Sequence, residues 1–356
     1  RAGRRPRTEG LLSVRMLKYG VIGYGYWGPN LVRVLNTAKE SRVIAVADQV
    51  AANRERAAGL YPAMRVTADA RELIADPAID AVAIATPVTT HFELAWAALD
   101  AGKHVIVEKP LCESSEKAAR LVDFAAKKQR QILVDHTFVY TGAVKKILSY
   151  SDDGRLGRVL YYDSTRINLG LYQKDVNVIW DLAVHDFSII LQLLPGRPAG
   201  ISAISSDPLR IGVEAVAQIT LLYPDQVMAH VNASWLSPVK VRQVLIGGDK
   251  SMIVYDDLDP STKIRLYDKG VEFTQDPARQ YAMKVEYRVG DMLAPQVESR
   301  EALATMAVQA VVVAPPDLLG SVPPNVVVHG RVPQLQLLDR ATAVVTHRGH
   351  NTVSEA

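Results

Sequence analysis

Along residues 16–138, short apolar runs alternate with stretches whose apolar residues recur at helical spacing. The runs at 19–22, 43–47, 81–85, 104–107 and 131–134 read as strands. The run at 81–85, Ala-Val-Ala-Ile-Ala, is apolar throughout, as a strand covered on both faces must be. Residues 31–35, 51–58, 69–75, 90–101 and 113–128 carry helical patterns. Two have clear stops, Asp76-Pro77 after the third and Gly102 after the fourth. Strands alternating with helices predict βαβ units and a parallel sheet, an α/β domain over 16–138.

From 139 to 302 the pattern changes. Residues 158–167, 213–222, 226–235, 239–246 and 251–255 read as strands, with turn chemistry at Tyr223-Pro224-Asp225-Gln226 and Gly247-Gly248-Asp249-Lys250. One helix interrupts them. Apolar residues at 179, 180, 183, 184, 187, 190, 191 and 194 follow helical spacing, which sets Asp181 and His185 one turn apart on one face.

A length of 356 residues fits about two domains. The net charge of +3 is unevenly placed. Residues 1–15 carry five arginines against one acid, Glu9, so the basic sign belongs to that stretch and argues against a nucleic-acid partner. The stretch lacks the apolar core of a secretory signal. Met16 directly precedes the first strand, so 1–15 is expected to be a disordered basic extension. No run reaches the ~18 apolar residues of a membrane span. The single cysteine, Cys112, leaves no internal disulfide. A cytoplasmic protein with no membrane partner is expected.

Where the first strand ends, the chain reads Gly23-Tyr24-Gly25-Tyr26-Trp27-Gly28. Strand, G-x-G-x-x-G and helix in that order form the dinucleotide fingerprint. Gly23 allows the tight turn, Gly25 lets backbone approach a pyrophosphate, and Gly28 lets helix and strand pack closely. Tyr26 and Trp27 lie in the same turn. The second strand ends in Asp48, placed to bind ribose hydroxyls and repel a 2′-phosphate. NAD is therefore the expected cofactor, and Arg54 keeps NADP possible. Ligands of such sheets sit beyond strand carboxyl ends. Thr86-Pro87, followed by His91, and Glu108-Lys109-Pro110 both fall there.

Lys109 at a cleft can lose solvation and exchange protons; the alternative is a solvated lysine ahead of a helix. Asp181 one turn before His185 can orient the imidazole and raise its basicity; the alternative is a surface ion pair. Among the other histidines, His104 reads as structural, and His136 could face cleft or core. No Cys/His cluster has zinc spacing, so no metal is expected.

The stretches 21–28, 85–91, 102–110 and 181–186 together resemble the Gfo/Idh/MocA family of NAD(P)-dependent sugar and cyclitol oxidoreductases over about 16–302. The resemblance implies a Rossmann dinucleotide-binding domain followed by an α+β domain with a mostly antiparallel sheet. That second domain would cover the cleft and carry homo-oligomer contacts. It also implies a cis Lys109–Pro110 bond and a sugar substrate. Lys109 or His185 would take the hydroxyl proton, and Asp181 would bind substrate or orient the site. Asn168-Leu169-Gly170 resembles members acting on nucleotide-linked sugars.

After about 302 the resemblance changes. Residues 322–355 resemble the donor-nucleotide segment of GT-B glycosyltransferases of the UDP-sugar type. That likeness implies Gln334 at the base, His347, Asn351 and Thr352 at the phosphates, and Glu355 at the ribose. Arg348 stands where that family has a small residue. Residues 303–356 are accordingly expected to be a fragment foreign to the oxidoreductase.

Overall fold

The computed structural model describes residues 16–306 apart from 171, 173–174, 195, 269–270, 273–285, 288–289, 298–301 and 305. Residues 1–15 and nearly all of 303–356, including Gln334, His347, Arg348, Asn351, Thr352 and Glu355, lie outside the described residues.

Six parallel strands build the first sheet: β1 (Leu17–Ile22), β2 (Ser41–Ala47), β3 (Arg65–Thr67), β4 (Ala81–Ile84), β5 (His104–Glu108) and β6 (Ile132–Asp135). Their spatial order is β3-β2-β1-β4-β5-β6. The winding reverses between β1 and β4, which opens a crevice at the carboxyl ends there. Helices α1 (Gly28–Thr37), α2 (Ala51–Leu60), α3 (Ala70–Ala75), α4 (His91–Asp100) and α5 (Ser115–Lys127) complete the βαβ units. Every residue of β4 is buried, which explains its unbroken apolar run. Helix α1 buries Leu31, Val32, Val34 and Leu35 and carries Pro29 in its first turn, where a missing N–H is harmless. Ser114 caps α5 by accepting from Lys117 N–H, so the helix starts later than the apolar pattern suggests.

The second sheet has β7 (Val159–Leu169), β8 (Gly200–Ser206), β9 (Val216–Leu222), β10 (Met228–Ser234), β11 (Leu236–Gly248), β12 (Met252–Asp256), β13 (Ile264–Tyr267) and a short strand at Met292–Leu293. Only β7 and β10 pair in parallel; the other neighbours in this sheet run antiparallel. Helices α6 (Gly142–Asp152) and α7 (Val184–Leu193) join its inner face in one core, through Val144, Ile147, Ile189 and Ile190 against Ala229, Val231, Val244 and Ile246.

The two halves share packing. Val176 and Trp180, just before α7, join the first domain's cluster around Val88, Phe92 and Leu111. Helical residues Leu303 and Met306 join Leu17, Tyr19 and Leu31 on the other side of the parallel sheet. The division expected at 302/303 thus falls at residues that pack into the oxidoreductase's own core. Among the described residues, no helix is long and apolar enough to cross a membrane.

Candidate active site

The turn after β1 is shaped by what its glycines lack. Gly23 has φ +93°, and a Cβ there would stand 2.4 Å from the Ala85 carbonyl oxygen. A Cβ on Gly28 would stand 2.0 Å from the Gly23 carbonyl oxygen. Gly25 differs: nothing lies within 4 Å of where its Cβ would be, so bare backbone faces open space. No side chain caps the first turn of α1 and no acid sits in it. Its N–H groups and partial positive charge remain for a phosphate. These features fit a dinucleotide pyrophosphate.

Asp48, directly after β2, is tied to the same turn. Its Oδ2 accepts from Tyr24 N–H at 2.6 Å and from Asn53 at 3.2 Å, and its Oδ1 accepts from Val50 N–H at 2.7 Å. Arg54 donates to the main-chain carbonyls of Asp48 and Gln49. Arg56 donates to those of Tyr24 and Gly25, with its guanidinium 5.2 Å over the Tyr24 ring. Both arginines thus engage main chain. Tyr26 is 82% exposed and stacks on Trp27. The Trp27 indole N–H donates to Asp135 Oδ2 at 3.0 Å.

Beyond β4, the Thr86 and Thr90 hydroxyls lie 2.7 Å apart, and Pro87 leads into a short 3₁₀ turn. Val88 N–H donates to Asp175 from the second domain at 3.0 Å. His91 does not face the crevice as expected for a cofactor contact. It is fully buried, with its ring nitrogens 3.0 Å from the Pro110 carbonyl and 2.9 Å from the Thr86 carbonyl. It braces the two loops that follow β4 and β5. Burial lowers its pKa, against the pull of those carbonyls.

Lys109 follows β5, and the Lys109–Pro110 bond is cis, as the resemblance implies. Its Nζ donates to Asp181 Oδ1 at 2.8 Å and to the Asp181 carbonyl at 2.9 Å. The other oxygen, Asp181 Oδ2, accepts from the Trp235 indole N–H at 2.9 Å. Asp181 therefore serves Lys109 and Trp235, and the expected pairing with His185 is not made. The reason is local: Ile179–Ala183 forms a π-helical turn ahead of α7. Its wider winding alters the angular offset that regular i,i+4 spacing would give.

His185 packs against the Phe138 ring, centroids 4.8 Å apart, and its Nδ1 is buried without a partner. Burial pushes its pKa well below the ordinary value, and the charges of Lys109 and Arg166 push the same way. The sequence suggests raised basicity through Asp181; the structure instead lowers the imidazole's basicity through burial and the nearby cations. Arg166 is paired with Asp186 at 2.6 Å, both side chains almost fully buried, and lies 4.4 Å over the Phe138 ring.

Glu108 lies cross-strand from Asp135 in the β5–β6 register. Burial, then the neighbouring Asp135 charge and hydrogen bond, raise the Glu108 pKa strongly. Burial raises Asp135 as well, while hydrogen bonds from Glu108 and Trp27 oppose it. Glu108 Oε1 and Asp135 Oδ1 are buried without a partner, and a carboxyl group beside a second carboxyl group keeps its proton to higher pH. His136 beside them is pushed down to about 4 by burial and by the Lys109 charge. Neither ring nitrogen of His136 has a partner. Asp135 and Trp235 do not stand out in the sequence. For Asp135 a signal exists, since it ends the last parallel strand. For Trp235 there is none, because its partner lies 54 residues away. Among the described residues, no three His, Cys, Asp or Glu side chains group as a metal site.

The chain matches known proteins along both halves. Residues 17–136 match the oxidoreductase family with an NAD-binding Rossmann fold, and residues 144–254 match the Gfo/Idh/MocA C-terminal domain. An inositol 2-dehydrogenase of Saccharopolyspora erythraea is 34% identical over 201 residues, 55% of this chain and 59% of that protein. A UDP-N-acetylglucosamine 3-dehydrogenase of Acidithiobacillus ferrooxidans is 30% identical over 194 residues, 53% of this chain and 58% of that protein. The alignments thus span under two thirds of these curated relatives. A crystal structure from Magnetospirillum magnetotacticum MS-1 superposes with TM-score 0.73 at 25% identity, covering 92% of this chain and 99% of that one. With a glycine turn shaped for a pyrophosphate and both domains matched in order, the chain belongs to the Gfo/Idh/MocA family of NAD-binding oxidoreductases.

Proposed function

We propose that this chain is an NAD-dependent dehydrogenase, or in reverse a reductase, acting on a secondary hydroxyl of a sugar or cyclitol. The observation that carries the reading is the proximity of Lys109, held by Asp181, to a half-buried His185 whose buried Nδ1 has no partner, beyond the parallel sheet. The similarity to an inositol 2-dehydrogenase and to a UDP-N-acetylglucosamine 3-dehydrogenase supports the substrate class. Asn168-Leu169-Gly170 favours a nucleotide-linked sugar within it.

Gly23, Gly25, Gly28 and the start of α1 hold the pyrophosphate, with Tyr26 and Trp27 beside it. Asp48 receives the ribose and favours NAD over NADP by repelling a 2′-phosphate. Thr86, Pro87 and Glu108 line the nicotinamide side. His91 supports these loops from beneath. Bound NAD supplies a hydride acceptor. His185, neutral and with an unpartnered nitrogen, takes the hydroxyl proton. Lys109 donates a hydrogen bond to that oxygen as negative charge grows on it. Asp181 keeps Lys109 in place. The working units are 16–138 for the cofactor and 139–302 for substrate and for pairing between copies, in the cytoplasm. For 303–356, UDP-sugar binding is the alternative reading carried by its motifs.

Separate titrations with NADH, NADPH and UDP, followed by rates on inositol, free hexoses and UDP-N-acetylglucosamine, test this. Tighter binding of NADH than NADPH and hydride transfer to at least one polyol are expected. Lys109→Ala or His185→Ala should lower turnover by roughly 10²–10⁴-fold with NADH affinity nearly unchanged. Full turnover in either variant removes that residue from the mechanism. Glycosyl transfer from a UDP-sugar would promote the alternative.

A further inference from the structure

Trp235 stands between β10 and β11, in the second domain. It is fully buried, and a buried indole needs a partner for its N–H. That partner is Asp181 Oδ2. The main chain around the indole is pinned. Trp235 N–H donates to the Ala215 carbonyl at 2.9 Å, and its carbonyl accepts from Gly170 N–H at 3.3 Å. Gly170 packs so near that a Cβ on it would lie 2.8 Å from Trp235 Cδ1.

Consider what this does to Asp181. One carboxylate oxygen is held by Trp235 and the other by Lys109, so the group cannot turn about its own axis without breaking a charge-assisted bond. An ammonium has three N–H donors. Asp181 takes two of those on Lys109, through Oδ1 and its carbonyl. One remains for a substrate oxygen, and its direction is set by where the other two are tied.

We propose that Trp235 is a positioning residue for Lys109, acting through Asp181: the indole N–H locks the carboxylate plane, and the carboxylate aims the ammonium. The second domain thereby sets the direction of an amine that belongs to the first. The importance of Lys109 for turnover rests on the function proposed above; the lock itself does not.

The test uses the full chain. Trp235→Phe keeps an aromatic ring and removes the N–H. The lysine's freedom is read by its acetylation rate with an amine-reactive ester, followed by mass spectrometry. Lys109 should label about three- to tenfold faster in Trp235→Phe and in Asp181→Asn. The double variant should label no faster than Asp181→Asn alone, since the indole acts only through that carboxylate. The turnover number on the best polyol should fall about tenfold in Trp235→Phe, the effect of one hydrogen bond to a charged group, with NADH affinity unchanged. Should Trp235→Phe not fold, benzothienylalanine at 235 removes the N–H at nearly constant volume. Unchanged Lys109 labelling in a folded variant overturns the proposal, as does full additivity in the double variant. A labelling response in a chain that oxidises no polyol keeps the lock and sinks the dehydrogenase reading.

Discussion

Glu108 and Asp135 place two carboxyl groups side by side where the parallel sheet meets the crevice. In water both would ionise; here burial raises both pKa values, and the neighbouring Asp135 charge raises that of Glu108 further. For Glu108 the consequence for stability has a definite sign. Its folded pKa lies above the ordinary 4.5, so the folded state binds the proton more tightly than the unfolded chain. The contribution is fully present below about 4.5 and is lost as pH rises through the raised value. Glu108→Gln keeps the shape and removes the titration. The variant should therefore gain stability relative to wild type as pH rises from 5 to 8. Thermal unfolding at several pH values measures this. A variant that loses ground between pH 5 and 8 would show that the pair holds no extra proton. The place of Glu108 at a strand's carboxyl end was legible from the apolar run before it. That Asp135 stands beside it was not, because pairing across strands follows from sheet order and register rather than from spacing in the chain.

At the scale of elements, the first domain was largely legible and the region around Asp181 was not. The G-x-G-x-x-G turn and the buried β4 announce themselves through local composition, and tertiary packing agrees with it. β3, three partly exposed residues long, leaves almost no pattern. The π-helical turn at Ile179–Ala183 is harder still, since its apolar residues are the ones a regular helix would bury. What holds it is visible only in the structure. Asn177 Oδ1 accepts from the N–H groups of Ile179 and Trp180, and Asn177 Nδ2 donates to Glu214 at 3.0 Å. Asn177 thus caps the turn and anchors it to the segment leading into β9. Asn177→Ala should cost about 1 kcal/mol of stability, the usual effect of losing such a cap. It should also lower turnover more than it weakens NADH binding, because the residue it releases is Asp181. Stability lost with turnover intact would mean that the turn keeps its shape without the cap.

The whole molecule is two sheets joined by more than a linker. Asp175 reaches back to Val88, Asp181 to Lys109, and Val176 and Trp180 enter the first domain's core. A sequence reading places a boundary near 138 from the change of pattern; the last strand of the parallel sheet ends at Asp135 and the first of the second sheet starts at Val159. The second boundary, at 302, was drawn from a change in resemblance, which reports ancestry rather than packing. Leu303 is 4% exposed and Met306 fully buried, both against Leu17, Tyr19 and Leu31 of the parallel-sheet domain. The chain therefore returns to its first domain after finishing the second. A methionine lost from a close-packed core leaves a cavity, and Met→Ala typically costs about 2–5 kcal/mol. Met306→Ala should destabilise the cofactor domain by an amount in that range, although it lies far from that domain in sequence. Denaturant unfolding with and without saturating NADH measures it. If 303–306 belong to the first domain, NADH should restore much of the lost stability by binding the folded state. If Met306→Ala unfolds with the wild-type midpoint, those residues contribute nothing to the oxidoreductase, and the boundary at 302 stands as the sequence suggests.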